Sequence, residues 1–458
     1  MKVKRRPEDF VVEELTRLKP GSTGDYALYR LRKQGIGTLE ALREVQRQWK
    51  LGAGRIDRGG LKDRHAVTTQ YVTIAHGRHE DLRQSTWQLE YLGQVPKRYS
   101  ADAVIGNRFT IVLRSMTEQQ VSDAKENLAA IAEFGVPNYF DDQRFGSVTV
   151  DGSFAGAAWI ANDFEAALRL TFATYHPGDR LEEREQQAIL QEHWGDWKEC
   201  KRLLSRSHRR SIITFLDDRP GDFKGAWARV DRDYRSLLLS AFQSEIWNQT
   251  LAETLRTRIP EECLTNVLMK TGPLPFYNRM GAATFQTFEN LQIVLPSGRV
   301  KLESIPDVAV REALVSVLAS WGLTLPQMKV KTPRDCFFSR AMRPAILRPG
   351  KMTWDIAEDE LQPGRAALSL SFDLPPGAYA TMLIKRISRV ASDSDDDVDD
   401  DFHDEETDDP LNEIRHSTEE PENLDRTDRD RGIRDEISGN DGSTVDSPIR
   451  DDGNDSAL

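Results

Sequence analysis

The chain has 458 residues and three cysteines, with 62 Lys+Arg against 74 Asp+Glu, a net charge of −12. Cys200, Cys263 and Cys336 are scattered and odd in number, which excludes a disulfide scaffold and a Cys-rich zinc module and suits a reducing compartment. No apolar run reaches the ~18 residues of a membrane span, and no apolar stretch follows the basic start as in a signal peptide, so a cytoplasmic soluble protein is expected.

The charge is unevenly distributed. Residues 391–458 hold 26 acidic and 6 basic side chains, a balance of −20, whereas residues 1–390 hold 48 and 56, a balance of +8. A mildly basic body with an acidic tail keeps nucleic-acid contact open, which the whole-chain figure disfavours.

Asp25–Lys33 (DYALYRLRK) alternates apolar and polar residues and predicts a strand. Thr38 is a candidate cap for a helix through Leu39, Leu42, Val45 and Trp49, stopping at Gly52. Gln70–Ala75 (QYVTIA) predicts another strand. In Arg108–Met116 (RFTIVLRSM), Phe109, Ile111 and Leu113 share one face, with Thr110, Val112 and Arg114 on the other. Thr117 and Gln120 stand at capping-box spacing before a helix whose stripe is Val121, Ala124, Leu128 and Ile131, ending at Gly135.

Helical pattern dominates the middle, with Arg184–Trp197 and Tyr234–Ile259 as candidates. In the latter, Leu237, Ala241, Asn248, Leu251 and Leu255 fall near one face. Strand character returns in ALSLSFDL, followed by a Pro375-Pro376-Gly377 turn and a helix-like AYATMLIKRIS. Strands at both ends of a helical middle predict one domain interrupted by an insertion, and 390 residues suffice for two domains. No internal repeat is evident. The tail has too few apolar residues to offset ordering entropy and is expected to be disordered. Asp393, Asp395 and Asp397 mimic a calcium loop, but Val398 stands where an EF-hand needs Gly, so a plain polyanion is the better reading.

Four segments offer chemistry. In Gly59–Tyr71 (GGLKDRHAVTTQY) a glycine turn presents Asp63 between Lys62 and Arg64. A carboxylate flanked by cations stays ionised and suits a nucleophile or base, although charged surface turns are common. Asn138–Gly146 (NYFDDQRFG) combines Tyr139, Phe140 and Phe145 with Gln143 and Arg144. This suits base stacking with phosphate contact, and equally an aromatic core corner. Gly106–Phe109 (GNRF) offers Asn107 as a hydrogen-bonding amide, or an ordinary turn before a strand. Lys4–Glu14 (KRRPEDFVVEE) offers Lys4 as a partner for a distant carboxylate, or a frayed basic end. His76, His79 and Glu80 lack metal-site spacing, no nucleotide-binding glycine motif appears, and the cysteines read as buried or indifferent thiols.

Together the segments resemble the TruD family of tRNA pseudouridine synthases. The ordered motifs are K-x-x-P-E-D-F (Lys4–Phe10), G-x-K-D-x-x-A-x-T-x-Q (Gly60–Gln70), G-N-x-F (Gly106–Phe109), G-V-P-N-Y-F-x-x-Q-R-F-G (Gly135–Gly146) and P-P-G-x-Y-A-T (Pro375–Thr381). The resemblance covers the body and leaves out the tail. Residues 153–230 are long beside the compact bacterial members and look more like the longer forms. It implies isomerisation of uridine to pseudouridine, at position 13 of tRNA, without metal or cofactor. Asp63 matches the nucleophile, Lys4 its ion-pair partner and Phe109 a stacking aromatic. Asn107 would help to order the site, with Lys62, Gln70, Gln143, Arg144 and Phe145 binding RNA or supporting the site. The target base must leave its stack to be reached.

The implied fold is α+β: a pseudouridine-synthase domain with a mixed, largely antiparallel sheet over about residues 1–134 and 346–390. A helix-rich insertion domain would span about 135–345. The expected partner is tRNA, with no membrane association and a monomeric state. The competing reading is a catalytically silent RNA-binding protein on the same fold, against which the retention of Lys4, Asp63, Asn107 and Phe109 argues. A third takes the tail as an interaction module on an old enzyme body.

Overall fold

The computed structural model describes residues 1–52, 54–176 and 179–388. The acidic tail, including Asp393, Asp395 and Asp397, lies outside the described residues. The strands are β1 (Phe10–Thr16), β2 (Tyr26–Lys33), β3 (Val67–Ala75), β4 (Trp87–Val95), β5 (Val104–Met116), β6 (Gly350–Glu358) and β7 (Ala366–Leu374). They order as β6-β7-β5-β1-β3-β2-β4, and short strands bring the sheet to ten. Among the described residues of this sheet only β1 against β3 runs parallel, with Val11 opposite Val67; the other pairings are antiparallel. The fold is α+β with the expected mixed, largely antiparallel sheet.

β5 is the centre of the arrangement. Its alternation places Phe109, Ile111 and Leu113 in the core. Register then aligns three rungs: Phe10–Ile111–Leu370, Val12–Phe109–Phe372 and Glu14–Asn107–Leu374. Residues directly opposite in antiparallel strands share a face. The apolar ladder therefore ends in a polar rung made by Glu14 and Asn107. Gly106 permits this end to close up, because a Cβ there would lie 2.4 Å from the Leu374 carbonyl oxygen.

Helix α1 (Thr38–Trp49) covers β2, β3 and β4 with Ala41, Leu42, Val45 and Trp49. Its N-cap is Gly37, not Thr38, and it stops at Lys50 in a left-handed conformation, two residues before Gly52. Thr38 is free of capping because its hydroxyl is used by the loop described below. Helix α2 (Glu118–Phe134) opens with the expected reciprocal cap: Gln120 N donates to Thr117 Oγ1 at 3.2 Å, and Thr117 N to Gln120 Oε1 at 3.0 Å. It ends at Gly135, φ 68°, where a Cβ would meet Leu347 O at 2.5 Å.

Val136–Pro137 pairs with Ile346–Leu347, so the chain enters and leaves the helix-rich stretch side by side. Arg184–Trp197 is not one helix. Gly195 (φ 100°) separates Leu181–His193 from Trp197–Leu203, and the Asp196 carboxylate caps the second through Glu199 N at 3.1 Å. Helix α3 (Arg232–Arg258) runs through this region with 17 of its 27 residues buried, which requires contact on nearly every side rather than on one stripe. Helix α4 (Ala380–Ile387) returns to pack on α2.

Candidate active site

Asp63 lies in the loop that precedes β3. Its Oδ2 accepts a hydrogen bond from Lys4 Nζ at 2.7 Å, and the two side chains are only about one quarter exposed (26% and 25%). Oδ1 accepts from His65 N at 2.9 Å, and Lys33 Nζ donates to the Asp63 carbonyl at 2.6 Å. Burial pushes the Asp63 carboxyl up. The Lys4 ammonium, its hydrogen bond and the His65 N–H outweigh this and hold it below the usual carboxylate range. The result is an oriented, ionised carboxylate with partial access to solvent.

Lys4 reaches Asp63 from a backbone at φ 54°, uncommon for a residue with a side chain, with Nζ 4.7 Å from the Phe10 ring centre. A buried ion cluster fixes this segment. Arg114 Nε donates to both Asp9 oxygens at 2.9 Å and Nη1 to Asp359 Oδ1 at 3.1 Å. Asp9 also accepts from Arg6 N at 3.0 Å. The Asp of P-E-D-F is thus an anchor that presents Lys4.

The polar rung supports the same loop. Lys62 Nζ hydrogen-bonds Asn107 Oδ1 and pairs with Glu14 Oε2 at 3.2 Å. Glu14 is buried and accepts from Tyr71 N at 3.1 Å and Tyr99 OH at 2.8 Å. Lys62 is therefore engaged inside the protein rather than extended toward a phosphate. Gln70 is likewise fully buried. Thr38 Oγ1 donates to Gln70 Oε1 at 2.9 Å and accepts from Lys62 N at 3.0 Å, while Gln70 Nε2 donates to Gly60 O at 3.3 Å. Both residues brace the loop.

Phe109 is 8% exposed. Its ring stacks on Phe372 (5.6 Å, 24°) and meets Phe10 edge-on at 6.2 Å. One face is thus occupied, and a base would need room on the other. The second aromatic segment resolves as the core corner: Tyr139 and Phe145 are fully buried, with Phe145 edge-on to Phe154 at 6.2 Å. Phe145 presents no open face to a base. Gln143 is exposed and Arg144 half-buried, with Arg144 Nε 3.3 Å from Ser244 Oγ. Among the described residues no hydrogen bond or ion pair joins Gln143, Arg144 or Phe145 to Asp63. The start of this segment adjoins the turn after β7, where Arg343 bonds Asn138 O at 2.8 Å and Gly377 O at 2.7 Å and lies 4.1 Å over Phe140. Burial pushes the Arg343 guanidinium down to about 10.

No local pattern marks Glu14, Asp9, Arg114 or Arg343 as site residues, and Thr38 is marked only as a helix cap. Glu14 carries a usable signal: it lies in phase with Phe10 and Val12, so a strand through them turns a carboxylate inward, where it needs a partner. His79 stacks on Tyr91 at 4.8 Å and contacts Gln94. Cys200 is buried, which pushes its thiol up to about 11. Neither arrangement activates a nucleophile. Among the described residues no group of three His, Cys, Asp or Glu could hold a metal ion, and no helix is long and apolar enough to cross a membrane.

The family model for tRNA pseudouridine synthase D (TruD) matches residues 1–387. A protein of Methanococcus maripaludis named a probable tRNA pseudouridine synthase D is 29% identical over 402 residues, spanning 85% of this chain and 100% of its own length. The tRNA pseudouridine synthase D of Leptospira interrogans is 30% identical over 409 residues, spanning 84% and 95%. A crystal structure of the TruD protein from Methanosarcina mazei superposes with a TM-score of 0.66 at 25% identity, covering 85% of this chain and 93% of that one. The match of nearly the whole described body, in sequence and in fold, shows that the chain belongs to the tRNA pseudouridine synthase D family.

Proposed function

We propose that the protein isomerises uridine to pseudouridine in tRNA, at uridine 13, with Asp63 as nucleophile. The observation that carries this reading is the Lys4–Asp63 pair: a carboxylate held ionised and oriented, in a loop braced from within. Asp63 attacks the extruded uridine and the N1–C1′ bond breaks. The base turns while held, a C5–C1′ bond forms, C5 loses its proton, N1 gains one and the carboxylate is released. Extrusion is required because the reacting atoms are inaccessible in a stacked, paired nucleotide. Phe109 borders the base, and Lys4 keeps Asp63 charged and aimed. Arg144 and Gln143 contribute to RNA contact from the helix-rich side, while Lys62, Gln70 and Phe145 support the site. The division of labour follows: residues 1–134 and 346–390 carry catalysis, with 389–390 outside the described residues, and residues 135–345 form an insertion that helps to hold the RNA.

The test is to incubate the purified protein with unmodified tRNA transcripts and map pseudouridine. Pseudouridine at position 13 is expected. None in any transcript rejects the activity; pseudouridine only elsewhere rejects the position.

A further inference from the structure

We propose that Asn107 reads the target base: its amide, turned outward by Lys62, donates a hydrogen bond to a uracil carbonyl oxygen. This rests on the uridine-isomerising reading above.

The orientation of an Asn amide is usually ambiguous, but here chemistry fixes it. A lysine ammonium only donates, so the Asn107 atom that meets Lys62 Nζ must be the carbonyl oxygen. Reversal would set an NH2 group against an ammonium. Lys62 cannot easily move away, because it is paired with Glu14, whose side chain is 1% exposed. Glu14 is in turn held by Tyr71 N and Tyr99 OH. Asn107 Nδ2 has no hydrogen-bond partner among the described residues and is not among the buried atoms that lack one, so on this half-buried residue it is not sealed from solvent. It stands two residues before Phe109 on the same face of β5, and its anchor, Lys62, precedes Asp63 in the chain. A fixed donor thus borders the nucleophile's loop.

Uracil suits such a donor through both halves of the reaction. A half-turn about its N3–C6 axis exchanges N1 with C5, as isomerisation requires, and also exchanges O2 with O4. One immobile N–H donor can therefore hold a carbonyl oxygen before and after the base turns. Cytosine offers an amino group at one of these positions, which would face the Asn107 NH2 and be repelled. Asn107 is the specificity-determining contact; Lys62 and Glu14 are positioning residues that act through it.

The experiment compares tRNA carrying uridine, 2-thiouridine or 4-thiouridine at the target position, since sulfur is a poor hydrogen-bond acceptor. For the wild type, at least one thio substitution should lower turnover on the order of tenfold, the worth of one hydrogen bond. Asn107→Ala should be slow on all three RNAs and show no such discrimination. Lys62→Met, which frees the amide to reverse, should also lose it, whereas Lys62→Arg, still donor-only, should retain it. A purely structural role would slow the variants without changing their thio sensitivity. Equilibrium binding of the same RNAs in the Asp63→Asn background, with and without Asn107→Ala, reads the contact where turnover is too slow. Equal thio effects in wild type and Asn107→Ala would overturn the proposal. A wild type that makes no pseudouridine would instead overturn the reading on which it rests.

Discussion

Replacing Lys4 by Met isolates the ion pair. Methionine keeps an unbranched side chain beside Phe10 and faces the same left-handed backbone requirement as Lys4, so the change is chiefly the loss of charge and donor. The Lys4–Asp63 contact is 2.7 Å between side chains about three quarters buried. A hydrogen bond to a charged group in such a setting is worth about 1.5–3 kcal/mol. If that is expressed in the transition state, kcat falls roughly 10- to 150-fold, with a smaller effect on KM because Lys4 is already engaged by Asp63. The pH profile adds a second readout. Burial raises the Asp63 carboxyl, and Lys4 together with the His65 N–H outweighs this, so without Lys4 the acidic limb of kcat moves to higher pH. The corresponding stability follows the same sign: a carboxyl depressed in the folded state stabilises above its unfolded pKa, and loses that contribution as pH falls through its folded value. The difference in melting stability between wild type and Lys4→Met should be largest near neutrality and close in acid. Steady-state pseudouridine formation and thermal melts across pH make the measurement. Unchanged kcat with superimposable pH profiles would refute the reasoning.

Phe109→Ala should cost about 3–5 kcal/mol of stability through lost packing on Phe372 and Phe10. Phe109→Leu should recover most of that stability in denaturant titrations but little turnover; near-normal turnover in the Leu variant would show that the ring is not needed. Arg114→Met strands Asp9 and Asp359, both nearly inaccessible, and should cost about 3–5 kcal/mol. Arg30→Met, losing an exposed pair with Glu90 at 45% and 47% exposure, should cost less than about 1 kcal/mol; equal losses in urea unfolding would contradict the burial argument.

Local patterns in the sequence were informative wherever a few neighbouring residues decide the structure. The alternation from Phe109 to Leu113 marks β5, and the Thr117–Gln120 box marks the start of α2. The P-E-D-F and Gly60–Gln70 motifs, read as a resemblance, pointed to Lys4 and Asp63, which the fold brings into contact across 59 positions of chain. What eluded local reading depends on partners distant in sequence. Lys62 looks like a surface cation until Glu14 and Asn107 are folded against it. Thr38 looks like a helix cap until the loop at Lys62 and Gln70 claims its hydroxyl. Phe145 looks like a stacking platform until Phe154 covers it. Asp9 and Asp359 lie far apart in the chain, and Arg114 on β5 joins them.

The central claim is that the Asp63 carboxylate is the nucleophile. It is tested by Asp63→Asn, which preserves size and an acceptor oxygen for Lys4 but removes the charge. The assay measures pseudouridine formed in unmodified tRNA by wild type and variant, with melting and RNA binding compared in parallel. The account predicts pseudouridine from the wild type and none from an Asp63→Asn protein that remains folded and binds RNA. An Asp63→Asn protein that makes as much pseudouridine as the wild type would contradict it.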